Sequence, residues 1–208
     1  FVRAQGTCNT TACVSRIVTV NTLSTAPTGI SGTTTICTGG STVLTQTGGA
    51  LGTGAVYNWY TGSCGGTLVG TGSSITVTPG STTTYFVRAQ GTCNTTSCVS
   101  VAVTVNTLST APSGISGTTT ICAGASTVLT QTGGALGTGA VYNWYAGSCG
   151  GTLVGTGSSI TVTPGSTTTY FVRAQGTCNT TTCASVAVTV NTLSTAPSAV
   201  SGTSTICS

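Results

Sequence analysis

The chain has 208 residues, with four Arg, no Lys, Asp, Glu or His, 52 Thr and 24 Ser. Without a carboxylate or an imidazole, general acid–base catalysis, paired-carboxylate glycosidase chemistry and Ser–His–Asp or Cys–His nucleophiles lose their working groups, so neither an enzyme nor a cofactor is expected. Calcium lacks anionic ligands, four scattered Arg form no nucleic-acid patch, and no apolar run approaches the ~18 residues of a membrane span.

The mean hydropathy of +0.39 and the wealth of Val, Ile, Thr and Tyr are not those of a disordered chain. The string F-V-R-A-Q-G-T-C-N-T-T recurs at Phe1, Phe86 and Phe171, a spacing of 85 residues. Residues 23–107 and 108–192 differ at six positions: Thr28/Ser113, Thr38/Ala123, Gly40/Ala125, Thr61/Ala146, Ser97/Thr182 and Val99/Ala184. The chain is therefore read as the C-terminal part of one repeat (1–22), two full repeats (23–107 and 108–192) and the N-terminal part of a fourth (193–208). Solenoid repeats run to about 20–50 residues and cannot bury a core alone. A repeat of 85 residues can be a small domain in its own right.

Within the first full repeat, S-T-V-L-T-Q (41–46) reads as a strand and precedes the break G-G-A-L-G-T-G (48–54). A-V-Y-N-W-Y (55–60) places Tyr57 and Trp59 on one face and is followed by S-C-G-G-T (63–67). S-S-I-T-V-T (73–78) aligns Ile75 with Val77 before T-P-G-S-T (78–82). T-Y-F-V-R-A-Q (84–90) turns Tyr85, Val87 and Ala89 inward and Phe86, Arg88 and Gln90 outward. V-S-V-A-V-T-V-N (99–106) gathers Val99, Val101, Val103 and Val105 on one face. About seven short strands without helical periodicity, one Trp on the third, predict an all-β fold: a two-sheet antiparallel β-sandwich with Trp59 and Trp144 in the core.

The ordered string T-I-C … L-T … Y-N-W-Y … G-G-T-L-V-G-T-G … I-T-V-T-P … T-T-T-Y-F-V-R-A … G-T-C-N resembles the tandem immunoglobulin-like modules of large secreted and surface-anchored adhesin or fibril proteins of Bacteroidota-type bacteria. The resemblance implies tandem Ig-like domains and an extracellular, structural or adhesive role in a stalk. Such modules often carry a few acidic residues, and this chain has none.

In an immunoglobulin-like trace, Cys37 opens the second strand and Cys64 ends the third at the same end of the sandwich. Cys93 and Cys98 flank the turn between the last two strands. The expected bridges are Cys37–Cys64, Cys93–Cys98, Cys122–Cys149, Cys178–Cys183 and Cys8–Cys13, with the partner of Cys207 outside the sequence. Two alternatives stay open: Cys93 or Cys98 bridging to Cys37, as in the inter-sheet bridge of antibody domains, or a zinc site at poorly fitting spacings. Bridges imply an oxidising, extracellular setting.

So weakly charged a surface either carries hydrating sugars or is built to associate with other copies in a fibre. Candidate O-glycan acceptors are Thr34, Thr76, Thr83 and Thr84, with Thr119, Thr161, Thr168 and Thr169 in the next repeat. Asn9, Asn94 and Asn179 each open N-T-T, a formal N-glycan acceptor, but Asn also suits the turn between the flanking Cys. Tyr60, Phe86 and Arg88, with Tyr145, Phe171 and Arg173, form a candidate outward surface contact, able to stack on a sugar or to serve as a cross-strand cluster. The expected partners are neighbouring repeats, other copies in a fibre and covalent glycans. Alternatives to the stalk are a carbohydrate-binding module and, from the Thr content, an ice-binding protein.

Overall fold

The computed structural model describes residues 1–202 and 205. The chain divides into two compact units, Phe1–Val105 and Asn106–Ser208. The first contains β1 (Gly29–Ser31), β2 (Thr35–Cys37), β3 (Thr42–Thr47), β4 (Val56–Thr61), β5 (Thr67–Thr71), β6 (Ser74–Val77), β7 (Thr83–Gln90) and β8 (Val99–Asn106). The second repeats them as β9 (Gly114–Ser116), β10 (Thr120–Cys122), β11 (Thr127–Thr132), β12 (Val141–Ala146), β13 (Thr152–Thr156), β14 (Ser159–Val162), β15 (Thr168–Gln175) and β16 (Ala184–Asn191).

Each unit packs a three-stranded sheet on a five-stranded one. In the first the strand orders are β1-β3-β6 and β2-β8-β7-β4-β5; in the second, β9-β11-β14 and β10-β16-β15-β12-β13. This is the all-β sandwich that the alternation predicts, and the inward sets agree with it. Leu44, Trp59, Val87 and Val103 have no solvent exposure, and Tyr57, Val77, Tyr85 and Ala89 complete the core. Trp144 lies likewise at the centre of the second core. A buried indole N–H needs an acceptor. Trp59 Nε1 donates to the Gly72 carbonyl at 2.9 Å and Trp144 Nε1 to Gly157 at 2.8 Å.

Two features depart from the expected plain antiparallel sandwich. The described residues form eight strands per unit, one more than the reading, because T-I-C is too short to show a period. The first strands are also split between the sheets: β1 pairs with β3, whereas β2 joins the five-stranded sheet beside β8. In the second unit the corresponding β10 runs parallel to β16, with Thr120 beside Thr189, Ile121 beside Val190 and Cys122 beside Asn191. Gly32 makes the crossing between sheets possible. Its φ is +139°, and a Cβ there would collide with the Val43 carbonyl oxygen.

Residues 1–18 repeat the sequence of the β7–β8 hairpin but keep only isolated pairs, Val2 with Val14 and Gln5 with Thr10. Phe1, Val14, Ile17 and Val18 are exposed. The hairpin buries its apolar face only when the other strands of a unit cover it.

Burial raises the Tyr85 and Tyr170 hydroxyl pKa above the ordinary tyrosine value. A group whose folded pKa is raised contributes stability that is complete below its unfolded pKa and is lost as pH rises through the folded one. The chain has no Asp, Glu or His side chain to titrate at lower pH. The melting temperature should therefore stay level from about pH 3 to pH 7 and fall as pH climbs past about 10, where unfolded tyrosines ionise. Calorimetry across that range checks both parts.

Candidate functional site

The outward face of the five-stranded sheet carries the chain's polar chemistry. In the β4–β7 ladder Tyr60 lies opposite Phe86 and Asn58 opposite Arg88, so their side chains share that face with Gln90. The Arg88 guanidinium sits over the Tyr60 ring, 5.1 Å from its centroid. Tyr60 Oη donates to Gln90 Oε1 at 3.0 Å, and Asn58 Nδ2 donates to the same oxygen at 3.2 Å. The second unit repeats the group: Arg173 lies 5.1 Å from the Tyr145 ring, and Tyr145 and Asn143 both donate to Gln175 Oε1. With no carboxylate side chain in the sequence, the Arg88 cation rests on a ring face and the Gln90 amide oxygen instead of an ion pair.

A disulfide-held turn covers this group. Between β4 and β5 the chain curls back across the sheet, bringing Cys64 Sγ to 4.0 Å from Arg88 Nη1. Gly65, at φ +83°, lies against the guanidinium: a Cβ there would stand 3.0 Å from Arg88 Nη2. Cys64 bonds Cys98 just ahead of β8, and Cys149 bonds Cys183 in the second unit. Each bridge thus ties the β4–β5 turn or its counterpart to the last strand, over the back of β7 or β15. A closed loop of this size is worth roughly 3–4 kcal/mol if unstrained.

These bridges correct the expected pairings. Cys37 does not bond Cys64, nor Cys122 bond Cys149, because β2 enters the sheet beside β8, three strand positions from β4. That separation is about 14 Å, twice the roughly 7 Å span of a disulfide. Cys93 does not bond Cys98, nor Cys178 bond Cys183. Gln90 pairs with Thr95, which leaves Cys93 at the turn tip while Cys98 lies about 10 Å further down the returning strand. The same geometry separates Cys8 from Cys13, and both are free and exposed. Cys93 and Cys122 are also free thiols, while Cys37 and Cys178 are disulfide-bonded. Cys207 lies outside the described residues. With Cys64 and Cys98 joined to each other, a four-thiolate zinc site within a unit has lost two of its ligands.

Of the two readings of the outward residues, the contacts are those of a cross-strand cluster. Tyr60 is only 6% exposed and Tyr145 7%. Phe86, Arg88, Phe171 and Arg173 are half-buried. The Tyr60 ring lies beneath the Arg88 guanidinium, itself against the Cys64–Gly65 turn, rather than presenting an open stacking face. Asn58 and Gln90, which complete the group, were missed. Their signal was available in the outward set of β7 and in the paired glycines of S-C-G-G, which let a turn lie flat on a sheet.

Asn94 and Asn179 act as latches. Asn94 Oδ1 accepts from the Ser24 N–H and its Nδ2 donates to the Ser24 carbonyl, both at 2.9 Å. The buried Ser24 hydroxyl in turn accepts from the Gly52 N–H. Asn179 holds Ser109 in the same way. The nitrogen that would carry an N-linked sugar is thus engaged in a hydrogen bond at these two positions. Asn9, in the N-terminal hairpin, is exposed. Among the Thr candidates, Thr34, Thr76, Thr84, Thr119 and Thr161 are exposed and Thr169 is half-buried. The Thr83 and Thr168 hydroxyls donate to the Ser81 and Ser166 carbonyls.

The family model described as "Ig-like domain CHU_C associated" matches residues 25–106 and 110–191. The chain belongs to this family of Ig-like domains. No curated protein matches it. Among solved structures it is similar to the I-band fragment I67–I69 of titin, at 12% identity and TM-score 0.54, covering 85% of this chain and 67% of that one. An E-to-A variant of the same three titin domains matches with TM-score 0.53 at 12% identity, over 83% and 66%. At such identity the likeness concerns the fold, and both full repeats are Ig-like β-sandwiches.

Replacing Asn94 by Ala leaves the Ser24 N–H and carbonyl without partners in a part-buried turn. The expected loss is roughly 2 kcal/mol in urea unfolding, with Asn94→Asp, which keeps the acceptor and loses the donor, falling between.

Proposed function

We propose that this chain is a load-bearing segment of an extracellular stalk or fibre, in which Ig-like units in series supply length and each unit resists extension. The observation that carries the reading is the side-by-side placement of the unit's second and last strands in one sheet. In the second unit β10 and β16 are parallel neighbours, so pulling the two ends of the unit apart slides one strand along the other. Their hydrogen bonds are then loaded together instead of one after another.

The disulfide supplies a second line of resistance. Once β2 detaches, tension on β8 reaches Cys98 and passes through sulfur to Cys64, and the intervening strands β5, β6 and β7 carry none of it. In single-molecule stretching, each oxidised unit should give a force peak and then extend only partway. Adding a reductant should lengthen the step by 34 residues at ~3.5 Å each, or about 12 nm. Steps that ignore the reductant, or units that extend without a resolved peak, would count against the reading.

The expected sugar coat supports the same setting. Exposed Thr34, Thr76, Thr84, Thr119 and Thr161 lie on an almost uncharged surface, where O-linked glycans would provide the hydration that ionic groups normally give. Natively purified chain should exceed 20.1 kDa in hexose-like steps by intact mass, and digestion should place the added mass on these threonines. The outward ring cluster gives the carbohydrate-binding alternative little support, since Tyr60 and Tyr145 are covered.

A further inference from the structure

Four cysteines stand outside the two bridges across the sheet faces in the full repeats, and they occupy two places in the fold. In the second unit Cys122 closes β10 beside Asn191, the last residue of β16, at the end where the chain leaves. Cys178 lies in the β15–β16 turn at the end where the chain enters. Its Sγ is 4.0 Å from the Asn106 carbonyl oxygen, and the neighbouring Asn179 holds Ser109. The eight residues of β16 separate these two ends by about 25 Å. A disulfide spans roughly 7 Å between Cα atoms, so the two sulfurs of one unit cannot reach each other. The first unit has the same plan, with Cys37 closing β2 and Cys93 in the turn beside the Ser24 latch.

Both places form bridges, because Cys37 and Cys178 are disulfide-bonded. Their counterparts Cys122 and Cys93 are exposed free thiols. Each place thus has one bonded and one free sulfur. We propose that Cys93 and Cys122 are covalent joining points to further copies of this repeat, with Cys93 taking a cysteine that stands where Cys122 stands, and Cys122 taking one that stands where Cys93 stands. Unlike pairing is heterologous and continues from copy to copy, whereas like pairing closes after two. The step balances with a small-molecule disulfide as oxidant: two protein thiols and RSSR give one protein disulfide and two RSH. The inference stands on where the sulfurs lie and does not require the load-bearing role.

The test uses the full chain with Cys8→Ser, Cys13→Ser and Cys207→Ser, so that Cys93 and Cys122 are the intended reactive thiols. An equal mixture of unlabelled and nitrogen-15-labelled protein is oxidised with glutathione disulfide. The expected result is a ladder of covalent multimers on non-reducing electrophoresis that collapses with dithiothreitol. Mass mapping should find Cys93 peptides joined to Cys122 peptides of the other isotope. Adding Cys93→Ser or Cys122→Ser should reduce the ladder to monomer, with an unchanged melting temperature because each removed thiol is exposed and unbonded. A dimer that survives through like pairing would overturn the proposal. So would a monomer carrying glutathione on both thiols, or a Cys93–Cys122 link confined to one isotope. Failure here leaves the stretching result untouched, and a flat stretching record leaves the cross-link standing.

Discussion

A chain without a single carboxylate side chain cannot make a side-chain salt bridge, and that constraint shapes each unit. Stability has to come from apolar burial, backbone ladders, neutral hydrogen bonds and sulfur. The single Arg of each full repeat shows how far this goes. Arg88 lies over a tyrosine ring, beside the Gln90 amide oxygen and beneath a cysteine-held turn. Its Nε is buried without an acceptor, as is that of Arg173, a cost that a nearby Asp or Glu would normally remove. The Ser24–Asn94 latch follows the same rule, fastening the start of the unit to the β7–β8 turn with a neutral amide.

The core was legible because a strand's side chains alternate with a period of two and the two full repeats are almost identical. Val87 against Arg88, or Trp59 against Asn58, could be assigned to a face without any tertiary information. The sandwich was legible for the same reason, together with the Gly- and Pro-rich breaks. Strand β2 was not, because three residues cannot display a period and their sheet is chosen by the kink at Gly32. The Cys37–Cys64 and Cys122–Cys149 pairings failed through that error, and the short Cys93–Cys98 type through the register of the β7–β8 turn. Once β2 lies beside β8, the distance between Cys37 and Cys64 rules out their bond, and Cys64 becomes available to Cys98.

The outer face went wrong in a related way. Outward parity was correct for Tyr60, Phe86 and Arg88, but outward is not the same as exposed. Whether a sheet face meets solvent depends on what the adjoining turns do, and the β4–β5 turn was read only as a break. Its glycines carry the information: at Gly65 a side chain would press on the guanidinium. A turn that lies down on a sheet needs such residues, whereas a turn that simply reverses the chain does not. In N-T-T the sugar-acceptor pattern coincides with the Asn that a backbone latch requires.

With the Cys64–Cys98 bridge on the outer face, the buried core of the described residues holds no sulfur. Leu44 on β3 and Val87 on β7 meet in the core with no exposure, so apolar packing holds the two sheets face to face. The bond instead runs within one sheet, from the turn beside β4 to the start of β8. An inter-sheet bond would clamp the sandwich shut. A bond within the sheet lets the three-stranded sheet separate and still keeps β8 attached to β4 through sulfur. In a unit loaded through its ends, the noncovalent part can yield and re-form while the covalent part limits how far the chain is drawn out.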